Sequence, residues 1–218
     1  MASCDHLLAQ PMAPDAKRQL YLAGTGTFAT QVAAWATDAG WEVAGLVEMC
    51  DRSRVGRVVS GHRVLAPDSL PEGSQVVIAA GGDRSAHHAV LRDVDCHSVT
   101  VVHPTSHLSS SERLAAGCIV GPSAVIDAET VIGEHTLISR GTLIGHHVRA
   151  GNFVSLLPGV NVGGNVEVGD RTSVGMGAVL VNAIRVGTDA TIAAGAVVVR
   201  PVADGARVQG VPAREYRP

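Results

Sequence analysis

A six-residue beat runs unbroken from Val120 to Val202, and it constrains the fold more than any other feature of the chain. Every sixth residue from Val120 through Ile126, Ile132, Ile138 and Ile144 to Val198 is a large aliphatic, with Ala150 alone departing. Gly follows many of them, as at Gly121, Gly133, Gly145, Gly163 and Gly175, and four places after each aliphatic the side chains are small or β-branched, as at Ala124, Thr130 and Val148. Neither a 3.6-residue nor a two-residue period accounts for this pattern. It is the signature of a parallel β-helix, in which each hexad is one short strand plus a turn and no repeat buries its face alone. Three hexads close a coil of eighteen residues. Stacked coils lie at strand spacing, roughly 4.8 Å, so residues eighteen apart sit above one another. The aliphatics point inward, and the glycines are expected to supply turn conformations that a Cβ would penalise.

The rest of the chain bounds the domain organisation. A length of 218 residues accommodates two small domains. Residues 1–17 form a tail expected to be poorly ordered, residues 18–103 mix helical and strand patterns, residues 104–203 carry the beat, and residues 204–218 close the chain. A net charge of -3 without basic clusters argues against nucleic-acid and membrane partners. Aromatics make up 3% of the chain, which suits a prism core too narrow for rings. Cys4, Cys50, Cys96 and Cys118 lack disulfide-like or metal-like spacing, and neither a signal peptide nor a spanning segment is evident, so a cytoplasmic protein is expected.

The front segment reads as a βαβ unit. An apolar run from Gln19 ends in Gly24-Thr25-Gly26-Thr27-Phe28-Ala29, a helical pattern runs through Val32, Ala33, Trp35 and Ala36 to Gly40, and a second strand covers Glu42 to Glu48. A Gly-x-Gly-x-x-Ala turn at a helix N-terminus can cradle a phosphate, and Glu48 stands where an acidic residue would accept a ribose hydroxyl. Gly24, Gly26, Thr27, Phe28 and Glu48 are therefore the candidate substrate contacts. Further strands are expected at Gln75 to Ala80 and Ser98 to His103, with a helix from Arg84 to Leu91. About four strands are too few for a full dinucleotide fold. A half-Rossmann-like nucleotide unit fits better, and the same glycines could also serve only a tight turn.

With the His103-Pro104 junction, the Ile144-Gly145-His146 segment, Pro158-Gly159, the run from Gly195 to Val198 and the closing Gly210-Val211-Pro212-Ala213, the chain from about residue 18 to 216 resembles the left-handed β-helix sugar acetyltransferases. Within them it is most similar to the sialic acid O-acetyltransferases and bacillosamine-pathway N-acetyltransferases. The resemblance implies an α/β half-Rossmann-like domain followed by a left-handed parallel β-helix. It also implies a homotrimer with acetyl-CoA in the groove between neighbouring prisms, small-molecule substrates, no metal, and a nucleotide-linked amino sugar held mostly by the front domain.

On the resemblance, His146 is the general base, a role for which imidazole chemistry is apt. The eighteen-residue rule puts Gly164 beside it, where a side chain would block approach. His147 stands where relatives carry a carboxylate, and the same rule offers Glu129, or Asp127, as a substitute. Gly164, Met176, Ala194, Gly195, Gly210 and Pro212 match positions along the CoA path, and Ser155 stands where many relatives place a second histidine near the acetyl group. Phe28 replaces a histidine of the family's front turn, and Gly82, Asp83 and Ala86 replace an Asn/Asp pair and an Arg, so an O-linked or nucleotide-free acceptor stays open. Two other readings use the same fold. One is a non-catalytic trimeric scaffold, and the other is a γ-class carbonic anhydrase with zinc on some of His103, His107, His135, His146 and His147.

Overall fold

The computed structural model describes residues 18–216, so the tail expected at 1–17, with Cys4, lies outside the described residues, as do 217 and 218. The front domain is built on a six-stranded sheet. Its strands are β1 (Arg18–Ala23), β2 (Trp41–Val47), β3 (Val58–Val59), β4 (His62–Leu65), β5 (Ser74–Ile78) and β6 (Cys96–Ser98), in the spatial order β3-β4-β2-β1-β5-β6. All pairings are parallel except the β3–β4 hairpin. The sequence reading expected about four strands. It missed the hairpin because β3 and β4 are short and only Val64 between them is fully buried, which leaves no apolar run to see.

Helix α1 (Thr27–Asp38) buries Ala29, Val32, Ala33, Trp35 and Ala36 on one stripe, and the chain turns at Gly40, where φ is +83°. Helix α2 (Arg84–Leu91) starts at Asp83, whose carboxylate accepts from the Ser85 and Ala86 backbone N–H groups. The strand expected at Ser98 to His103 is two elements. β6 ends the front sheet at Ser98, and Val101–Val102 pairs with Ile119–Val120 as the first rung of the prism.

From there the chain is the β-helix that the beat predicts. Its three walls are an eight-stranded sheet, whose last strand Arg214–Glu215 is antiparallel, and sheets of six and five strands. Register is eighteen residues, as in Ile126↔Ile144 and Val162↔Leu180, until the last coil, where Val186↔Val202 and Thr191↔Arg207 are sixteen apart. The inward aliphatics are fully buried, each contributing about 1.5–3 kcal/mol over exposure. Polar core residues are satisfied by neighbouring coils: Thr130 Oγ1 donates to the Gly145 carbonyl at 2.9 Å, and Thr136 does the same to Gly151 at 2.9 Å.

The glycines of the beat serve a different purpose from the one expected. Gly145 and Gly175 do not have positive φ; a Cβ there would meet the backbone of the next coil at 2.9 Å and 2.4 Å. The left-handed turn positions fall two residues later and are mostly not glycine, as at Glu129, His147 and Asn165, each with φ +58°.

The first wall also carries information on its outward side. Its outward residues run Val101, Ile119, Leu137, then Ser155, Ser173 and Thr191 down the stack. The first three are buried in one cluster with Trp35, Trp41 and Val32 of the front domain. The front domain therefore covers the upper part of that wall, and polar residues begin where its cover ends.

Candidate functional site

His146 and His147 occupy the turn between the second wall (strand Leu143–Ile144) and the third (strand Arg149–Ala150), and both are exposed. The His147 backbone N–H donates to the Ala128 carbonyl at 2.9 Å, pinning the turn to the coil before it. The Nδ1 atoms of His146 and His147 lie 3.0 Å apart, so one donates and the other accepts. On the following coil Gly164 lies against the other side of the His146 ring. A Cβ on Gly164 would approach Nε2 and Cε1 at 2.8 Å, so only glycine leaves the imidazole in place. Gly164 itself is fixed by its N–H donating to Asn182 Oδ1 at 3.0 Å. Glu129 holds the equivalent turn position one coil earlier, as the eighteen-residue rule requires, yet its carboxylate makes no hydrogen bond or ion pair with either imidazole; nor does that of Asp127. His147 is the group that His146 Nδ1 contacts.

The residues matched to the CoA path fall on two edges of the prism. Gly164 shares the corner of His146. Met176, Ala194 and Gly195 share the corner between the first and second walls, where the Gly195 N–H donates to the Met176 carbonyl at 2.8 Å. Gly177 and Gly195 there have φ +66° and open space where a Cβ would stand, and Met176 is 55% exposed. Gly210, with φ +94°, and Pro212 lie in the closing segment, where the Val197 N–H donates to the Gly210 carbonyl. The second wall separates the two corners within one chain.

The front-domain candidates gather at the carboxyl ends of β1 and β2, beside that of β5, which flanks β1 on its other side. Gly24, Gly26, Phe28 and Glu48 line a cleft of about 290 Å³ together with Cys50, Arg54, Gly81, Gly82 and His87. Thr27, the first residue of α1, is exposed at its edge and is not among the lining residues. Gly24 is glycine because the sheet demands it: φ is +139°, and a Cβ would lie 2.6 Å from the Ala79 carbonyl oxygen. Gly26 has open space around it and caps α1 without a side-chain hydrogen bond.

Glu48 is 6% exposed and already saturated. One carboxylate oxygen accepts from Thr25 Oγ1 and pairs with Arg54 at 3.7 Å; the other accepts from the Cys50 and Asp51 N–H groups at 2.9 and 3.1 Å. Burial pushes this carboxyl up, but the Thr25 hydroxyl, the two backbone N–H groups and Arg54 outweigh it and hold the group below its ordinary value. Its lone pairs are spent on shaping the loop from Cys50 to Arg54, which places the Arg54 guanidinium at the cleft. No sequence signal marked Arg54.

A second cleft, of about 300 Å³, opens where the first wall turns polar. Gly81, Gly82, Asp83, Ser155, Ser173, Arg171 and Asp189 line it, and Gly81 and Gly82 belong to both clefts. Arg171 and Asp189, eighteen residues apart, form a two-pronged pair with both bonds at 2.7 Å. Beneath it Arg84 reaches from α2 into the prism and donates to the His135, Phe153 and Val154 carbonyls at 3.0, 2.9 and 2.7 Å. Arg84 is 3% exposed, and burial lowers its guanidinium to about 10, still cationic at neutral pH. His135 stacks flat on Phe153 at 5.2 Å between ring centroids, beside His88. Burial, with help from His88 and Arg84, pushes its imidazole down to about 4. His103 is tied to Asp38 at 3.2 Å and to Thr105 at 2.9 Å, so it too joins the two domains. His146 lines neither cleft.

Comparison with solved structures relates this geometry to known chemistry. A mutant of perosamine N-acetyltransferase from Caulobacter crescentus, in complex with CoA and GDP-perosamine, is 29% identical, covers 92% of this chain and 97% of its own, and superposes with a TM-score of 0.84. The acetyltransferase domain of PglB from Neisseria gonorrhoeae, in complex with acetyl coenzyme A, is 24% identical over 92% of this chain and 100% of its own, with a TM-score of 0.70. WeeI from Acinetobacter baumannii is 20% identical over 90% and 99%, with a TM-score of 0.80. The latter two, being more distant, speak for the fold. No protein-family model matches the chain, and neither does any curated protein sequence.

Proposed function

We propose that this chain, a member of the hexapeptide-repeat β-helix sugar acetyltransferase family, transfers an acetyl group from acetyl-CoA to the amine of a nucleotide-linked sugar of the 4-amino-4,6-dideoxy class. The observation that carries this reading is His146, an exposed imidazole with Nδ1 engaged by His147 and Nε2 beside the space that Gly164 leaves open. An imidazole held in this way can take a proton at Nε2 and return it. The 29% identical Caulobacter enzyme, with CoA and GDP-perosamine, supports the choice of donor and acceptor class.

The acceptor amine, neutral, attacks the thioester carbonyl while His146 Nε2 removes its proton. The tetrahedral intermediate then expels CoA thiolate, and the Nε2 proton passes to sulfur. No acyl-enzyme is required. Burial pushes the Cys118 thiol up to about 11 and raises that of Cys96 as well, so neither is an activated nucleophile.

The split of the donor-side residues between two corners supports a groove completed by a second copy, in a cyclic trimer. The His146 and Gly164 corner of one protomer would face the Met176, Ala194 and Gly195 corner of the next. The two clefts joined at Gly81 and Gly82 support an acceptor lying with its nucleotide over Gly26 and Arg54 and its sugar toward Ser155. The test is thiol release from acetyl-CoA with uridine-, thymidine- and guanosine-linked amino sugars, free amino sugars and hydroxy-sugar analogues. Turnover is expected with a nucleotide-linked amine and is expected to fall about 10²–10⁴-fold in His146→Ala, the range for a positioned general base. Turnover confined to hydroxyl acceptors, or retained in His146→Ala, contradicts the reading.

A further inference from the structure

We infer that His147 is a positioning residue that selects the tautomer of His146, and that the pair acts as one proton-binding unit in which a single proton on either ring disarms the base. The inference rests on the proposed role of His146 and extends it to the group behind it. Its physical basis is the 3.0 Å contact between the two Nδ1 atoms, which leaves room for one hydrogen between them.

In the neutral pair two arrangements exist. If His146 Nδ1–H donates to His147 Nδ1, the Nε2 lone pair of His146 is free to accept the acceptor's proton. If His147 donates instead, the hydrogen of His146 sits on Nε2 and the ring cannot act as a base. A carboxylate in place of His147 could only accept and would fix the first arrangement at every pH above its own titration. An imidazole can do either, so its own ionisation matters. Add one proton to the pair. Held on His146, it occupies Nε2. Held on His147, it makes Nδ1–H of His147 the donor, forces His146 Nδ1 to accept, and again leaves the His146 hydrogen on Nε2. Both hydrogen-bonded arrangements of the singly protonated pair lack the base.

The same hydrogen moves in the catalytic step. As His146 Nε2 takes the acceptor's proton, the hydrogen between the rings can pass to His147 Nδ1, so the developing positive charge is shared by two imidazoles. It returns when Nε2 protonates sulfur, and the pair ends with the hydrogens it began with.

The surroundings leave this role to His147. The charged and titratable groups around the pair are Asp127 and Glu129 on the turn of the preceding coil and Arg149 on the strand that follows. The next coil brings only Gly163, Gly164 and Asn165. No hydrogen bond or ion pair joins these carboxylates to either ring. The backbone adds a practical advantage: His147 sits at φ +58°, a conformation that Asn and Gly adopt readily. His147→Asn keeps a hydrogen-bond acceptor near the Nδ1 position but cannot bind a proton, whereas His147→Gly has no acceptor.

The experiment compares the pH profile of kcat/KM, with the acceptor counted as its neutral amine form at each pH, for the wild-type protein and both variants, alongside nitrogen-detected NMR of labelled histidine in the resting protein. For the wild type, the acid limb is expected to start at slope one and steepen toward two as the second ring is protonated. His147→Asn, which keeps an acceptor for the His146 Nδ1–H but cannot share the charge, is expected to lose less kcat than His147→Gly and to show a limb of slope one. His147→Gly is expected to lose kcat by roughly 10- to 100-fold with little change in KM, the scale on which losing an orienting partner of an imidazole costs activity. In the neutral pair, NMR is expected to find the His146 hydrogen on Nδ1. The inference is overturned by identical acid limbs in wild type and His147→Asn, or by unchanged kcat in His147→Gly. A His146 hydrogen on Nε2 in the neutral wild type would also overturn it. If no acceptor turns over, the proposed function fails on its own, and the NMR titration still decides whether the two rings behave as one unit.

Discussion

The prism and the front domain are held together in different ways, and the difference decides what each can do. In the prism the spatial neighbours lie eighteen positions away until the last coil, so the turn of His146 and His147 is fixed by the coil above and the coil below. His146 rests on Gly164, and His147 hangs from the Ala128 carbonyl. In the front domain the neighbours are remote in sequence and irregular. Glu48 is held by Thr25, Cys50, Asp51 and Arg54, and Arg84 reaches across 51 to 70 residues to three prism carbonyls. A repeat gives a rigid edge for chemistry that varies little. An irregular sheet gives a cleft whose lining can change without disturbing that edge.

The largest effect expected from breaking this division is at the joint. Arg84→Met removes the donors to three carbonyls and is expected to cost about 3 kcal/mol or more, read from denaturant midpoints, because each charged donor contributes and the His135 and Phe153 carbonyls are orphaned, while that of Val154 keeps the Leu137 N–H. Arg84→Lys, with a compact ammonium in place of the fork, is expected to recover only part of that loss. If Arg84→Met is as stable as the wild type, the two domains are not coupled through this residue.

Next comes a paired glycine test. A Cβ on Gly164 meets the movable end of an exposed imidazole, whereas a Cβ on Gly24 meets fixed backbone at Ala79 with φ at +139°. Gly164→Ala is expected to reduce kcat/KM about 100-fold while leaving the thermal midpoint nearly unchanged, since displacing a reacting group by about 1 Å costs that much. Gly24→Ala is expected to lower stability by about 2 kcal/mol or more, through overlap and a disfavoured φ. A reversal of the two patterns would break the comparison.

The smallest effect is a pH slope. His135 is buried at the joint, and burial holds its imidazole at about 4 when folded, below its ordinary value of 6.5. The unfolded chain therefore binds a proton there that the folded chain refuses. Stability is expected to be complete above about pH 6.5 and to decline as pH falls toward 4. His135→Asn, which suits the local φ of +54°, is expected to flatten that decline in a series of urea midpoints, and an unchanged slope would remove His135 as its source.

How much of this was legible in the sequence follows the same division. The β-helix, its eighteen-residue register and the position of Gly164 opposite His146 were all readable, because a repeat converts sequence distance into spatial distance. The role of the beat's glycines was misread, since close approach of the next coil and a left-handed turn both favour glycine, and only coordinates separate them. The outward residues of the first wall, Val101, Ile119 and Leu137 giving way to Ser155 and Ser173, were visible but gained meaning only once the front domain was seen lying on the first three. Arg84 and Arg54 were illegible. Each is an ordinary basic residue near a helical turn until the fold supplies the carbonyls and carboxylate that hold it. Glu48 lines the cleft, but no local pattern shows that Thr25, Cys50, Asp51 and Arg54 already saturate it.

The central claim is that the acetyl-transfer groove takes one corner from each of two copies of the chain. The most direct measurement co-expresses differently tagged His146→Ala and Gly195→Trp chains, isolates the mixed oligomers and measures thiol release with the acceptor identified for the wild type. Each variant alone is expected to be inactive. In a cyclic trimer every mixed oligomer, two of one chain and one of the other, keeps one groove of three with both corners intact, so about a third of wild-type activity is expected to return. Two inactive variants whose mixed oligomers stay inactive would mean that both corners serve the same groove from a single chain, and the account would be wrong.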